Sequence, residues 1–186
     1  MSYRNGTYVA FDGNATTDPT KGDMKYYGLL QKWNSSKNFD LKFSDSHKKT
    51  NQVRDSSTIQ TLQSRLLERM RNSKNMLLII SKDTSWDRGM LNFEIEKAVD
   101  YYELPIIIAY TGYDYIVNPS LHEAKWPKAL YERIMNQSAK CIHISFKEKA
   151  ITEAVAQFSI HNKEDQLTSP LHYYKESTYK DWGYID

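Results

Sequence analysis

Glu94 is the acidic side chain best placed to meet a ligand. It lies in Ser85-Trp86-Asp87-Arg88-Gly89-Met90-Leu91-Asn92-Phe93-Glu94-Ile95-Glu96-Lys97-Ala98-Val99, between apolar runs at residues 76–80 and 105–109. An α-helix turns about 100° per residue, so Leu91, Ile95, Ala98, Val99 and Tyr102 share one apolar arc that must face a sheet. Glu94 stands on the shoulder of that arc, where it is half buried, while Glu96, Lys97 and Asp100 project into water. A half-buried carboxylate holds its charge where a ligand can reach it. Without a ligand it is a helix-flank acid balanced by a neighbouring base.

Other reactive residue types form weaker constellations. Asp12, Asp83, Thr111 and Lys147 stand near the ends of successive strands, where a receiver-like signalling module would assemble a phospho-acceptor site. Such a site needs a pair of acids after the first strand, and Asp12 is followed by Gly13. The five histidines, His47, His122, His143, His161 and His172, lack the spacing that sets metal ligands on one helix face, so no metal is expected. His143 shares a strand face with Cys141 and Ser145 and reads as a satisfied sheet histidine. Cys141, the single cysteine, has no partner for an internal disulfide, and as a nucleophile it would need an activating neighbour. With seven glycines and neither Gly-x-x-x-x-Gly-Lys nor Gly-x-Gly-x-x-Gly, the chain offers no P-loop or Rossmann cradle for a nucleotide.

The elements that position these residues follow from hydrophobic periodicity. Residues 7–11 form a buried strand ending at Asp12-Gly13 and a polar stretch to residue 23. A helix over 24–33 carries Tyr27, Leu30 and Trp33, with Asp23 as its cap. Residues 39–43 alternate as an edge strand and lead into a polar loop over 44–54. Asp55, Ser56 or Ser57 caps a helix with Ile59, Leu62, Leu66 and Met70 at helical spacing, ending near residues 71–73. The continuously apolar runs at 76–80 and 105–109 mark central parallel strands covered on both faces. A helix over 127–135, a strand over 141–146 and a helix over 148–158 complete the series. Five alternations of strand and helix predict an α/β, doubly wound, five-stranded parallel sheet with helices on both faces. Ligands of such sheets sit beyond the C-terminal strand ends, where Phe11, Asp12, Ser44, Asp45, Ser81, Asp83, Thr111 and the start of the Glu94 helix converge.

Composition agrees with one domain over residues 1–160 and a tail over 161–186. The 186 residues are 40% hydrophobic and 26% charged, enough for one well-buried core. A net charge of +2 exerts no strong pull on nucleic acid or acidic membranes. No apolar run approaches a membrane span and the N-terminus has no apolar signal core, so a cytoplasmic protein is expected. Tyr173, Tyr174, Tyr179, Trp182 and Tyr184 crowd the tail, which suits a partner interface or a strap folded over its own domain.

Taken together, Tyr8-Val9-Ala10-Phe11-Asp12, Phe39-Asp40-Leu41-Lys42-Phe43-Ser44-Asp45, the strand at 76–80 and Trp86 through Glu94-Ile95 resemble bacterial TIR-like domains, and within them the ThsB-like proteins of the Thoeris antiphage system. The likeness spans roughly residues 5–160 and is most specific at the aromatic-then-Glu-Ile segment. It implies a flavodoxin-like, TIR-like fold and an enzyme that takes NAD as substrate without a metal. Glu94 is then the catalytic residue, stabilising the positive charge that develops on ribose as nicotinamide leaves. The resemblance puts Phe11, Asp12, Ser44, Asp45, Ser85, Trp86 and Asn92 around NAD, with Phe11 stacking, Asp12 hydrogen bonding, and Asn92 or Ser85 donating to Glu94. Core packing is the alternative for Phe11. It further implies a cyclic or conjugated ADP-ribose signal that activates a separate effector protein, and self-association through TIR–TIR contacts. A catalytically silent oligomerisation scaffold is the alternative within the same family.

Overall fold

The computed structural model describes residues 4–13, 23–35, 43–44 and 59–186. The expected cap at Asp55, Ser56 or Ser57, the loop containing Asp45, and all of the 39–43 strand except Phe43 lie outside the described residues.

The strands are β1 (Gly6–Ala10), β2 (Phe43–Ser44), β3 (Ser73–Ile80), β4 (Ile106–Tyr110), β5 (Cys141–Ser145) and β6 (His172–Tyr173), and the helices are α1 (Met24–Ser35), α2 (Ile59–Arg71), α3 (Gly89–Glu96), α4 (Lys128–Met135), α5 (Glu148–Gln157) and α6 (Glu176–Asp181). The sheet runs β2-β1-β3-β4-β5-β6 with every pair parallel. This is the doubly wound architecture expected, with one strand more. The chain leaves β1 for β2 on one side and returns to β3 on the other, so the crevice-forming switch point lies between β1 and β3.

Side chains alternate between the sheet faces, and two apolar layers result. Tyr8, Ala10, Met76, Leu78, Ile80, Ile106 and Ile108 pack with Leu66 and Met70 of α2, Leu91 and Ile95 of α3, and Leu130 and Ile134 of α4. Val9, Leu77, Ile79, Ile107, Ile142 and Ile144 pack with Tyr27 and Leu30 of α1 and Ile151 and Val155 of α5. Residues 76–80 of β3 and all of β4 are buried, which is why these stretches are continuously apolar, and β3 begins three residues earlier than expected, through the polar Ser73-Lys74-Asn75. Beyond α3 the chain widens into a π-turn over Lys97–Tyr101, closed by the Tyr102 amide on the Lys97 carbonyl at 3.0 Å.

The tail lies on its own domain. His172 and Tyr173 pair with Ile142 and His143 as the added edge strand, and Tyr179 of α6 is fully buried in the second apolar layer. Trp182 meets Tyr174 and Tyr179 edge-on at 5.1 and 5.4 Å. The two-residue β6 has no alternation for a sequence reading to detect. Asp23 also departs from expectation: its carbonyl receives the Tyr26 and Tyr27 amides, while its fully buried carboxylate caps no helix amide among the described residues.

Candidate active site around Glu94

α3 is positioned by the loop that precedes it. The Ser81 amide donates to Thr84 Oγ1 at 2.9 Å and the Asp83 amide to Ser81 Oγ at 3.0 Å. Asp12, at the end of β1, then takes the Ser85 amide on Oδ2 at 3.0 Å and pairs through Oδ1 with Arg88 Nε at 2.8 Å. One buried carboxylate thus ties two points of the loop to β1 and fixes where α3 starts.

From that start, Glu94 points inward. It is 5% exposed, and its Oε1 accepts a hydrogen bond from the Tyr8 hydroxyl of β1. No hydrogen bond reaches Oε2 among the described residues. Burial raises the carboxyl from its ordinary 4.5 to about 7, against the opposing effects of the Tyr8 bond and the Arg69 charge on α2. Burial and the Glu94 charge hold the Tyr8 phenol well above its ordinary value, so it stays a donor. Glu94 is therefore deeper than the shoulder position expected from the helical arc, and its partner is neither Asn92 nor Ser85.

The other expected site residues are placed as follows. Asn92 bridges to α4: its Nδ2 donates to the Trp86 carbonyl at 3.1 Å and its Oδ1 accepts the Ala129 amide at 2.8 Å. Ser85 gives its amide to Asp12. The Trp86 ring, 48% exposed, lies 5.4 Å from Tyr131 on α4 rather than over Glu94. Phe11 is buried in the layer opposite Glu94, stacked on Tyr27 at 5.5 Å, so its position is that of core packing. Ser44 pairs with Tyr8 in the β1–β2 register, and Asp45 lies outside the described residues. The structure brings Tyr8 to Glu94, sets Ser44 beside Tyr8 in the strand register, and leaves Phe11, Trp86 and Asn92 with other partners.

Tyr8 and Arg69 were not singled out in the sequence. A signal for Tyr8 existed, because a phenol in a buried strand needs a polar partner. Arg69 had none beyond its place on the same helix as Leu66 and Met70.

The remaining candidates are structural. His143 is fully buried, with Nδ1 at 2.8 Å from the Tyr110 hydroxyl and Nε2 at 2.8 Å from the Pro170 carbonyl. Burial pushes the Cys141 thiol up, keeping it protonated. Lys147 pairs with Asp114 at 2.7 Å and Asp12 with Arg88, so the acid and lysine of a phospho-acceptor site are engaged elsewhere. Among the described residues no helix is long and apolar enough to cross a membrane.

The all-parallel sheet in the order β2-β1-β3-β4-β5-β6, with its switch point beside β1, is a doubly wound, TIR-like α/β fold. A family model described as "Thoeris protein ThsB, TIR-like domain" matches residues 8–115. That span covers more than half of the chain and runs from Tyr8 through Glu94 to the loop after β4. The chain belongs to this family, which ties it to Thoeris defence.

Proposed function

We propose that the chain is a TIR-type NAD-processing enzyme that cleaves the nicotinamide–ribose bond, with Glu94 as its catalytic acid residue. The observation that carries this reading is the burial of Glu94 with one oxygen held by Tyr8 and the other without a hydrogen bond among the described residues. As the bond from ribose C1′ to the pyridinium nitrogen breaks, its electron pair leaves with nicotinamide and positive charge grows on the ribose. A fixed carboxylate in a poorly solvated site stabilises that charge more strongly than the ground state. The pyridinium of bound NAD is itself cationic and favours the ionised form of Glu94, offsetting part of the burial cost.

A nucleophile then attacks C1′. A hydroxyl of the same ADP-ribose unit gives a cyclic product and a hydroxyl of another molecule a conjugate, the hydroxyl giving up its proton to water as the new C1′–O bond forms. Either product would act as the signal for a separate effector protein in the cytoplasm. Self-association through TIR–TIR contacts would complete the NAD site, with Ser44, Asp45, Ser85 and Trp86 as further contacts on this subunit and Asp12 holding the loop that carries Ser85.

Purified protein incubated with NAD, alone and with lysate of phage-infected cells, tests this. Nicotinamide release, with products weighed by mass spectrometry, should fall by about 10²- to 10³-fold or more in Glu94→Gln. Equal turnover in that variant overturns the reading.

The depth of Glu94 favours a second reading, a silent scaffold in which the Tyr8–Glu94 bond only joins β1 to α3. Absence of turnover under every trigger, with the assembly state sensitive to Glu94→Gln, would select it.

A further inference from the structure

The strand beneath Glu94 presents two side chains to α3, Tyr8 and Ala10. Alanine is too short to reach a carboxylate, and phenylalanine at position 8 would fill the same volume without a polar atom. The hydroxyl is therefore what distinguishes this position. Arg69 on α2 acts on Glu94 through space, and no hydrogen bond joins them; its buried Nη1 makes no hydrogen bond among the described residues. On α3 itself Glu96 pairs with Lys97 at 3.2 Å on the half-exposed side. Among the described residues Tyr8 is thus the one hydrogen-bond donor to Glu94.

We propose that Tyr8 is a positioning residue for Glu94: its hydroxyl fixes Oε1 against β1 and leaves Oε2 as the oxygen that meets the ribose. The inference rests on the proposed NAD cleavage for its use in catalysis, while the hold on Glu94 stands on the geometry alone. Two consequences follow from a donor bonded to one oxygen. The carboxylate keeps a single orientation, and its charged form is favoured over the protonated one.

The test uses the full chain with glutamate carboxyl groups labelled with ¹³C, the Glu94 signal being assigned by its loss in Glu94→Gln. In Tyr8→Phe the Glu94 titration midpoint should rise by about one pH unit. 3,5-Difluorotyrosine at position 8, a stronger acid of nearly the same shape, should lower it, and this arm decides the matter if Tyr8→Phe does not fold. In nicotinamide release, the acid limb of the kcat profile should move with the midpoint, with activity recovering at high pH. A midpoint unmoved by both replacements overturns the proposal, as does an equal loss of activity at every pH. A midpoint that moves while no form of the protein consumes NAD supports the hold of Tyr8 on Glu94 and overturns the NAD reading alone.

Discussion

The Tyr110 hydroxyl links Trp126 to His143, receiving the indole Nε1–H at 2.7 Å and lying 2.8 Å from His143 Nδ1. The Pro170 carbonyl beside Nε2 requires a proton there, so Nδ1 is the acceptor and the tautomer is set by its surroundings. The chain of bonds crosses from the helix side of β4 to the tail through residues that are each fully buried. Tyr110→Phe leaves an indole N–H and an imidazole nitrogen unpaired in the core and should cost about 2 to 4 kcal/mol in urea denaturation. A loss below 1 kcal/mol, roughly that of a surface hydroxyl, would mean that the network is not coupled to folding.

His143 is lowered from 6.5 to about 4, first by burial. The folded state prefers the neutral ring, so its contribution is complete above 6.5 and is lost as pH falls towards 4. Imidazole ¹⁵N shifts should report a neutral His143 at pH 5.5, where an exposed histidine is mostly charged. A charged ring at that pH would contradict the network.

Glu94 has the opposite sign. Its folded value of about 7 lies above the ordinary 4.5, so stability is greatest below that ordinary value and declines as pH rises through 7. Glu94→Gln removes the ionisation, so relative to wild type it should gain about 3 kcal/mol between pH 4 and pH 8. Paired denaturation curves at the two pH values measure this, and an unchanged difference would place the carboxylate in water.

Asp23 shares that sign, raised from 3.8 to about 6, chiefly by burial, with Asp12 and Asp83 adding like-charge repulsion and Ser81 opposing it. Asp23→Asn should gain about 2 to 3 kcal/mol over wild type between pH 4 and pH 7.5. Thermal melts across that range follow the difference directly, and a loss instead of a gain would show that the charge is used.

Ile95 is fully buried beside Glu94 on the apolar arc of α3. Ile95→Ala should cost about 2 to 4 kcal/mol through lost burial and a cavity. The same denaturation measurement checks it, and a cost below 1 kcal/mol, that of losing little more than a methylene, would mean that α3 can collapse onto the gap.

The sequence by itself determined the alternation of strands and helices, the central place of β3 and β4, and the arc that puts Glu94 beside the core. These follow from periods of 2 and 3.6 residues, which are local properties of the chain. It also placed His143 correctly, because a histidine alternating with Cys141 and Ser145 in a buried strand has to be satisfied there. Only the tertiary structure decided that Tyr8, 86 residues away in sequence, is the partner of Glu94, and that Asp12 ties down Ser85 across 73 residues. The same holds for Asn92, which serves α4, and for the tail, which adds β6 to the sheet. Partner choice depends on which elements become neighbours, and side-chain hydrogen bonds are satisfied wherever packing brings donor and acceptor together, so no local pattern encodes them.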